Sequence, residues 1–164
     1  MRSSRAIGRC VGECWCAGGW GGGVSDVTDG GLEPIEVHLR GEEPPAGAVL
    51  VIRGGPLSVE KLVEHAVRQA REFSYAGHPM FSVSVDATVD PWTLEAILRD
   101  RLWSRSTYAA CPAAALRDAG YVVLATHGSP HYDLILADGE PGTAASLLAV
   151  FGAAEVNPFK RRRR

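Results

Sequence analysis

The chain has 164 residues, 46% of them hydrophobic, which is enough for one domain with a real core and short for two. Its formal charge of −2 excludes a uniformly basic nucleic-acid binder, although five adjacent cations, Lys160 to Arg164, close the sequence. No apolar run reaches the length of a membrane span or of a signal peptide, and of the four cysteines Cys10, Cys14 and Cys16 crowd into one Gly-rich segment, so the expectation is a soluble, cytoplasmic protein without a disulfide framework.

Residues 1–30 are rich in glycine and poor in aliphatic side chains, and are expected to be a disordered extension. Leu32 to Leu39 alternates weakly and is expected to be a short edge strand, confined to an edge by Pro34. The rest of 31–47, with Pro44, Pro45 and Gly47, is expected to be a linker.

A single α+β domain is expected over 48–159, followed by a basic tail at 160–164. Ala48–Ile52 is a continuous aliphatic run suited to a buried strand. Ser58 caps a helix whose Val59, Leu62, Val63, Ala66, Val67, Ala70 and Phe73 recur at helical spacing, with Gly77 as its end. His65, among Glu64, Arg68 and Gln69, falls on the solvated side of that helix. Phe81 to Asp86 alternates strictly, placing Phe81, Val83 and Val85 on one face and Ser82, Ser84 and Asp86 on the other.

Asp90 with Pro91 begins a second helix that turns Leu94, Ile97, Leu98 and Leu102 inward. Trp103 to Tyr108 follows as a loop or short strand, and Pro112 opens a brief helix closed by Gly120. Tyr121–Thr126 and His131–Ala137 form a hairpin at or near the sheet centre, joined by a four-residue turn, His-Gly-Ser-Pro. Thr143 caps a last helix ended by Gly152, and Asn157-Pro158 tucks Phe159 onto the body. The expected order is β-α-β-α-(α)-β-β-α: a small mixed four-stranded sheet with helices mainly on one face.

The hairpin concentrates groups that move protons or hold phosphate. His131 enters the last strand beside the turn, where a rigid element holds an imidazole suited to general acid or base work. Thr126 and Ser129 are placed to hold a substrate oxygen, and Tyr132 to stack or donate. His127, next to Gly128, is expected to face solvent. The competing reading makes His131 an ordinary turn residue bonded to its neighbours.

Arg105-Ser106-Thr107, behind Arg99 and Arg101, offers guanidinium forks and hydroxyls, as does any charged helix end. Arg53-Gly54-Gly55 precedes a helix N-terminus, whose free N–H groups attract anions, but it matches neither common nucleotide-binding glycine motif. The expected catalytic set is His131, Thr126 and Arg105, with phosphate contacts from Arg53, Gly54, Gly55, Thr107, Lys160 and Arg161. Cys10, Cys14 and Cys16 with His38 make an incomplete zinc pattern, so no metal and no cofactor is expected. Cys111 is expected to be a small buried residue.

From Val49 to Arg164 the chain resembles a group of uncharacterised small proteins from GC-rich bacteria, through R-G-G at 53–55, A-G-Y at 119–121, P-H-Y-D at 130–133 and N-P-F-K at 157–160. That likeness supplies no activity. A helix followed by a small sheet, with a histidine entering the final strand, is similar more loosely to the barnase-EndoU-colicin-RelE class of ribonucleases. The resemblance implies a metal-independent ribonuclease or toxin-like RNA-binding domain, with His131 as the acid of transesterification and Arg105 and Thr126 in support. A competing resemblance, to ADP-ribosyltransferases, would use Arg53 and the Ser82–Ser84 strand; a non-enzymatic binding or accessory module is the third alternative. RNA or a protein is the expected partner, and no membrane is.

Overall fold

A computed structural model describes residues 33–52 and 57–160. The expectations for residues 1–30, for the Cys10, Cys14 and Cys16 group and for Arg161 to Arg164 lie outside the described residues, as do Arg53, Gly54 and Gly55. In chain order the elements are β1 (Ile35–Glu36), β2 (Val49–Ile52), α1 (Val59–Glu72), β3 (Phe73–Tyr75), β4 (His78–Pro79) and β5 (Ser82–Ala87). There follow α2 (Leu94–Ala96), which runs into a π-helical turn at Ile97–Arg101, then β6 (Thr107–Tyr108), β7 (Ala110–Pro112) and α3 (Ala113–Asp118). The chain closes with β8 (Val122–Leu124), β9 (His131–Ile135), α4 (Pro141–Phe151) and β10 (Glu155–Val156).

The fold is α+β, but the main sheet has five strands in the order β7-β2-β5-β9-β8, every neighbouring pair antiparallel. The expected four-stranded mixed sheet is corrected on two counts. Ala110–Pro112, expected to lead into a helix, first pairs with β2 as an edge strand, where Pro112 is tolerated. Of the hairpin expected at or near the centre, β9 lies next to the central strand β5 and β8 forms the edge. Among the described residues parallel pairing is confined to β1 with β3 in a separate three-stranded sheet, β1-β3-β4, and β10 pairs β6 in a two-stranded one.

Alternation along the strands gives the main sheet two faces. Leu50 and Ile52 of β2, Val83 and Val85 of β5 and Leu134 of β9 share a core with Leu62 and Ala66 of α1, Leu116 of α3 and Ala144, Leu147 and Phe151 of α4. Each fully buried aliphatic side chain there stabilises the fold by about 1.5–3 kcal/mol. On the other side Val51 of β2 joins a smaller cluster with Ile97, Leu98, Leu102 and Tyr108, against which Trp92 and Phe159 pack. Asn157 binds this segment, its Nδ2 donating to the Leu102 carbonyl at 2.9 Å.

Helix α1 is capped by Ser58, whose Oγ accepts from the Lys61 amide, but it stops at Glu72 because Phe73 turns extended and begins β3. The cap of α2 is Thr93 rather than Asp90, and α4 starts at Pro141 without a side-chain cap. Thr143 instead donates its hydroxyl to Asp138 Oδ1 at 2.6 Å. The segment expected to be a linker is partly packed: Pro44 is buried, its carbonyl accepts from Arg117, and the Arg40 amide donates to the Ala125 carbonyl at 2.7 Å. Glycine is required at 139, where a Cβ would come within 2.7 Å of Val67 Cγ2 and 3.0 Å of the Phe81 ring.

Candidate functional site

The register of the two inner strands builds the site. Ser84 lies opposite Asp133 and Asp86 opposite His131, so strict alternation puts all four side chains on the same face of the sheet. Val85, Leu134 and Tyr132 turn to the apolar face, which removes Tyr132 from the group expected around His131. Asp86 and Asp133 are 0% and 1% accessible, as buried as the valines between them. A carboxylate so placed needs hydrogen bonds and a compensating charge.

Asp86 has both from Arg101, and Asp133 has hydroxyl donors. Arg101 Nε, from the π-helical turn, donates to Asp86 Oδ2 at 2.9 Å, and its guanidinium carbon lies 5.5 Å from the centre of the Trp92 ring. His131 Nδ1 lies 3.5 Å from Asp86 Oδ1. The result is a chain, arginine to aspartate to imidazole, anchored on two secondary-structure elements and in β9. Thr126 Oγ1 donates to Asp133 Oδ2 at 2.5 Å, and Ser84 Oγ donates to Asp133 Oδ1 at 3.4 Å. Thr126 is therefore a positioning group with its hydroxyl proton committed to a carboxylate.

The link between β8 and β9 runs from Ala125 to Pro130, longer than the expected turn, and carries His127 back over the site. The side chain of His127 is half exposed, yet its Nε2 lies 3.7 Å from Asp133 Oδ2, and its ring centre is 4.5 Å from that of His131 with the planes tilted by 49°. It is exposed, as expected from the sequence, but its ring also lies against His131 and Asp133. The expectation for His65 is corrected. Its Nε2 lies 3.5 Å from Ser84 Oγ and its Nδ1 2.8 Å from Arg68 Nη2, and burial, followed by the Arg68 charge, lowers its pKa from the ordinary 6.5.

Of the residues expected from sequence, His131 and Thr126 meet through Asp133 and the β9 backbone. Arg105 does not join them by any described contact: it is exposed, with its amide on the Leu102 carbonyl at 2.9 Å, and it is Arg101 that reaches Asp86. Thr107 is exposed in β6 opposite Val156, and Lys160 is exposed at the end of the described chain. Asp86, Asp133 and His65 have no chemical role in the sequence reading, and Ser84 has one only under the ADP-ribosyltransferase resemblance. The signal for the first two was present, because an aspartate inside a strand that also carries core positions is an expensive choice. Cys111 is buried and its thiol is pushed up to about 11, so it offers no nucleophile near neutral pH.

Chemically, the arrangement offers two adjacent imidazoles, each beside a buried carboxylate, with one ring reachable from solvent. No helix among the described residues is long and apolar enough to cross a membrane. No protein-family model, no curated protein and no solved structure matches the chain.

Proposed function

We propose that the polar face of the sheet is the active site of an acid–base enzyme that cleaves RNA by transesterification without a metal. The observation that carries this reading is the Arg101–Asp86–His131 chain, in which a buried carboxylate held by an arginine lies 3.5 Å from an imidazole nitrogen, near the place of the carboxylate in acid–base catalysis by histidine. His127 supplies the second ring. Its ring centre lies 4.5 Å from that of His131, so the site holds two side chains of the kind that transfer protons.

In the proposed reaction His127, on the open side, takes the proton of the ribose 2′-hydroxyl as its oxygen attacks the adjacent phosphorus. His131 gives a proton to the departing 5′-oxygen. The P–O bond to that oxygen breaks, and the products are a 2′,3′-cyclic phosphate and a 5′-hydroxyl. Thr126 holds Asp133, and through it the carboxylate beside His127. Arg105, Thr107 and Lys160 are proposed only as phosphate contacts away from the reacting atoms, and Arg53, Gly54, Gly55 and Arg161, outside the described residues, as further phosphate contacts; the basic ones would neutralise the strand as in salt-dependent binding.

An NAD-using enzyme would keep Ser84 in the site, but the carboxylates beside it are aspartates engaged by Arg101 and Thr126. The test is incubation of purified protein with total RNA in excess EDTA. Cleavage to cyclic-phosphate ends is expected, with His131→Asn slower by about 10²–10⁴-fold and Arg105→Ala changed far less. Absence of cleavage in EDTA sinks the proposal. Consumption of NAD in a parallel assay would support the ADP-ribosyltransferase alternative, and neither reaction a binding module.

A further inference from the structure

His127, His131 and Asp133 each present a donor atom, and the three atoms lie within 4.8 Å of one another. His127 Nε2 and Asp133 Oδ2 are 3.7 Å apart. Two donors at that separation, each about 2.1 Å from a common ion, would subtend an angle of about 120°, close to tetrahedral. Histidine nitrogen with a carboxylate oxygen is the donor set of zinc sites that keep one position open.

The surroundings resemble those of a metal centre in three further respects. His131 has its Nδ1 turned to the Asp86 carboxylate, the arrangement that fixes ring orientation and raises donor strength in metal-bound histidines. Asp133 receives hydrogen bonds from Thr126 and Ser84, which hold the carboxylate in place. The charge count also favours a cation: two buried carboxylates share the face, while Arg101 pairs with Asp86 and the bonds to Asp133 come from neutral hydroxyls. His127 is on the loop and half exposed, so it can swing by the fraction of an ångström that closes the ligand set, and it leaves a path for entry.

We infer that His127, His131 and Asp133 bind a zinc ion, with water in the fourth position, and that Asp86 is the outer carboxylate of the site. Binding is independent of the ribonuclease reading. Its consequence rests on that reading: a bound ion engages both imidazole donors, so zinc occupancy and metal-independent RNA cleavage exclude one another, and zinc acts as a reversible inhibitor.

The experiment uses the full chain carrying Cys10→Ser, Cys14→Ser and Cys16→Ser, so that no thiolate at the N-terminus contributes. Zinc titration by calorimetry should give about one ion per chain, and cobalt substitution should give the strong visible bands of a tetrahedral site. His127→Asn removes a half-exposed ligand with little risk to folding and should weaken zinc binding by more than about 100-fold, against about 10–100-fold for Asp86→Asn. Absence of binding in the serine background, or equal affinity after His127→Asn, overturns the inference. Cleavage in EDTA with no zinc binding would leave the proposed reaction standing and remove the metal site. Zinc binding without cleavage in EDTA would do the reverse.

Discussion

The two faces of the five-stranded sheet are made by the same strands, yet where β5 pairs with β9 they are built from opposite materials. On one face Val83, Val85 and Leu134 meet α1, α3 and α4 in an apolar core. On the other Ser84, Asp86, His131 and Asp133 occupy the same two strands, one residue out of step. The apolar face stabilises the fold simply by leaving water. The polar face must first offset the desolvation of two carboxylates, and its bonds return only part of that. A face that gains so little stability and retains four polar side chains in fixed geometry is the place to look for function.

That contrast can be broken most forcefully from the apolar side. Leu134→Ala removes a fully buried side chain between His131 and the end of β9, and should destabilise the protein by about 3–4 kcal/mol. Urea unfolding followed by circular dichroism measures it. A loss below about 1 kcal/mol would mean that the apolar face is not the principal source of stability.

The next effect comes from the polar face and should have a different character. Arg101→Ala leaves the fully buried Asp86 without its guanidinium and should lose about 3 kcal/mol. The double variant Arg101→Met with Asp86→Leu should regain most of that, because replacing a buried pair by apolar groups of similar volume is often neutral or better. If the double variant is as unstable as the single one, the ion pair is structural and the distinction between the faces fails. Smaller again is Thr126→Val, which keeps the shape and removes the hydroxyl from Asp133, for an expected loss of about 2 kcal/mol. An unchanged unfolding midpoint would show that Asp133 does not depend on Thr126.

How much of this was legible in the sequence follows from which contacts are local. The Ser58 cap, the period of α1, the alternation from Phe81 to Asp86 and the brief helix before Gly120 are set by neighbours a few residues away, and all are found where the pattern puts them. Strand order is not local. Ala110–Pro112 has no strand pattern of its own and becomes one only because β2 offers an edge. The site divides in the same way. His131 and Thr126 were visible because they flank one turn, whereas Asp86 and Arg101 reach His131 only through the β5–β9 register and the packing of the π-helical turn. Arg105 was chosen over Arg101 because sequence gives no means of telling which arginine of a charged turn faces the sheet.

The smallest expected effect concerns His65, which joins α1 to the polar face at Ser84. Burial, then the Arg68 charge, lowers its pKa below 6.5 in the folded protein, while the Asp133 charge works in the opposite direction. The folded state therefore binds a proton at this ring less readily than the unfolded chain does. Its contribution is fully present above the unfolded value and is lost as pH falls through the folded one. His65→Gln should accordingly flatten the decline in stability between about pH 7 and pH 5 while leaving the shape of the curve at higher pH unchanged. Urea midpoints for both proteins across that range give the comparison. Parallel curves would mean that the His65 ring, despite its contacts with Ser84 and Arg68, is as well solvated when folded as when unfolded, and that the polar face ends at Ser84.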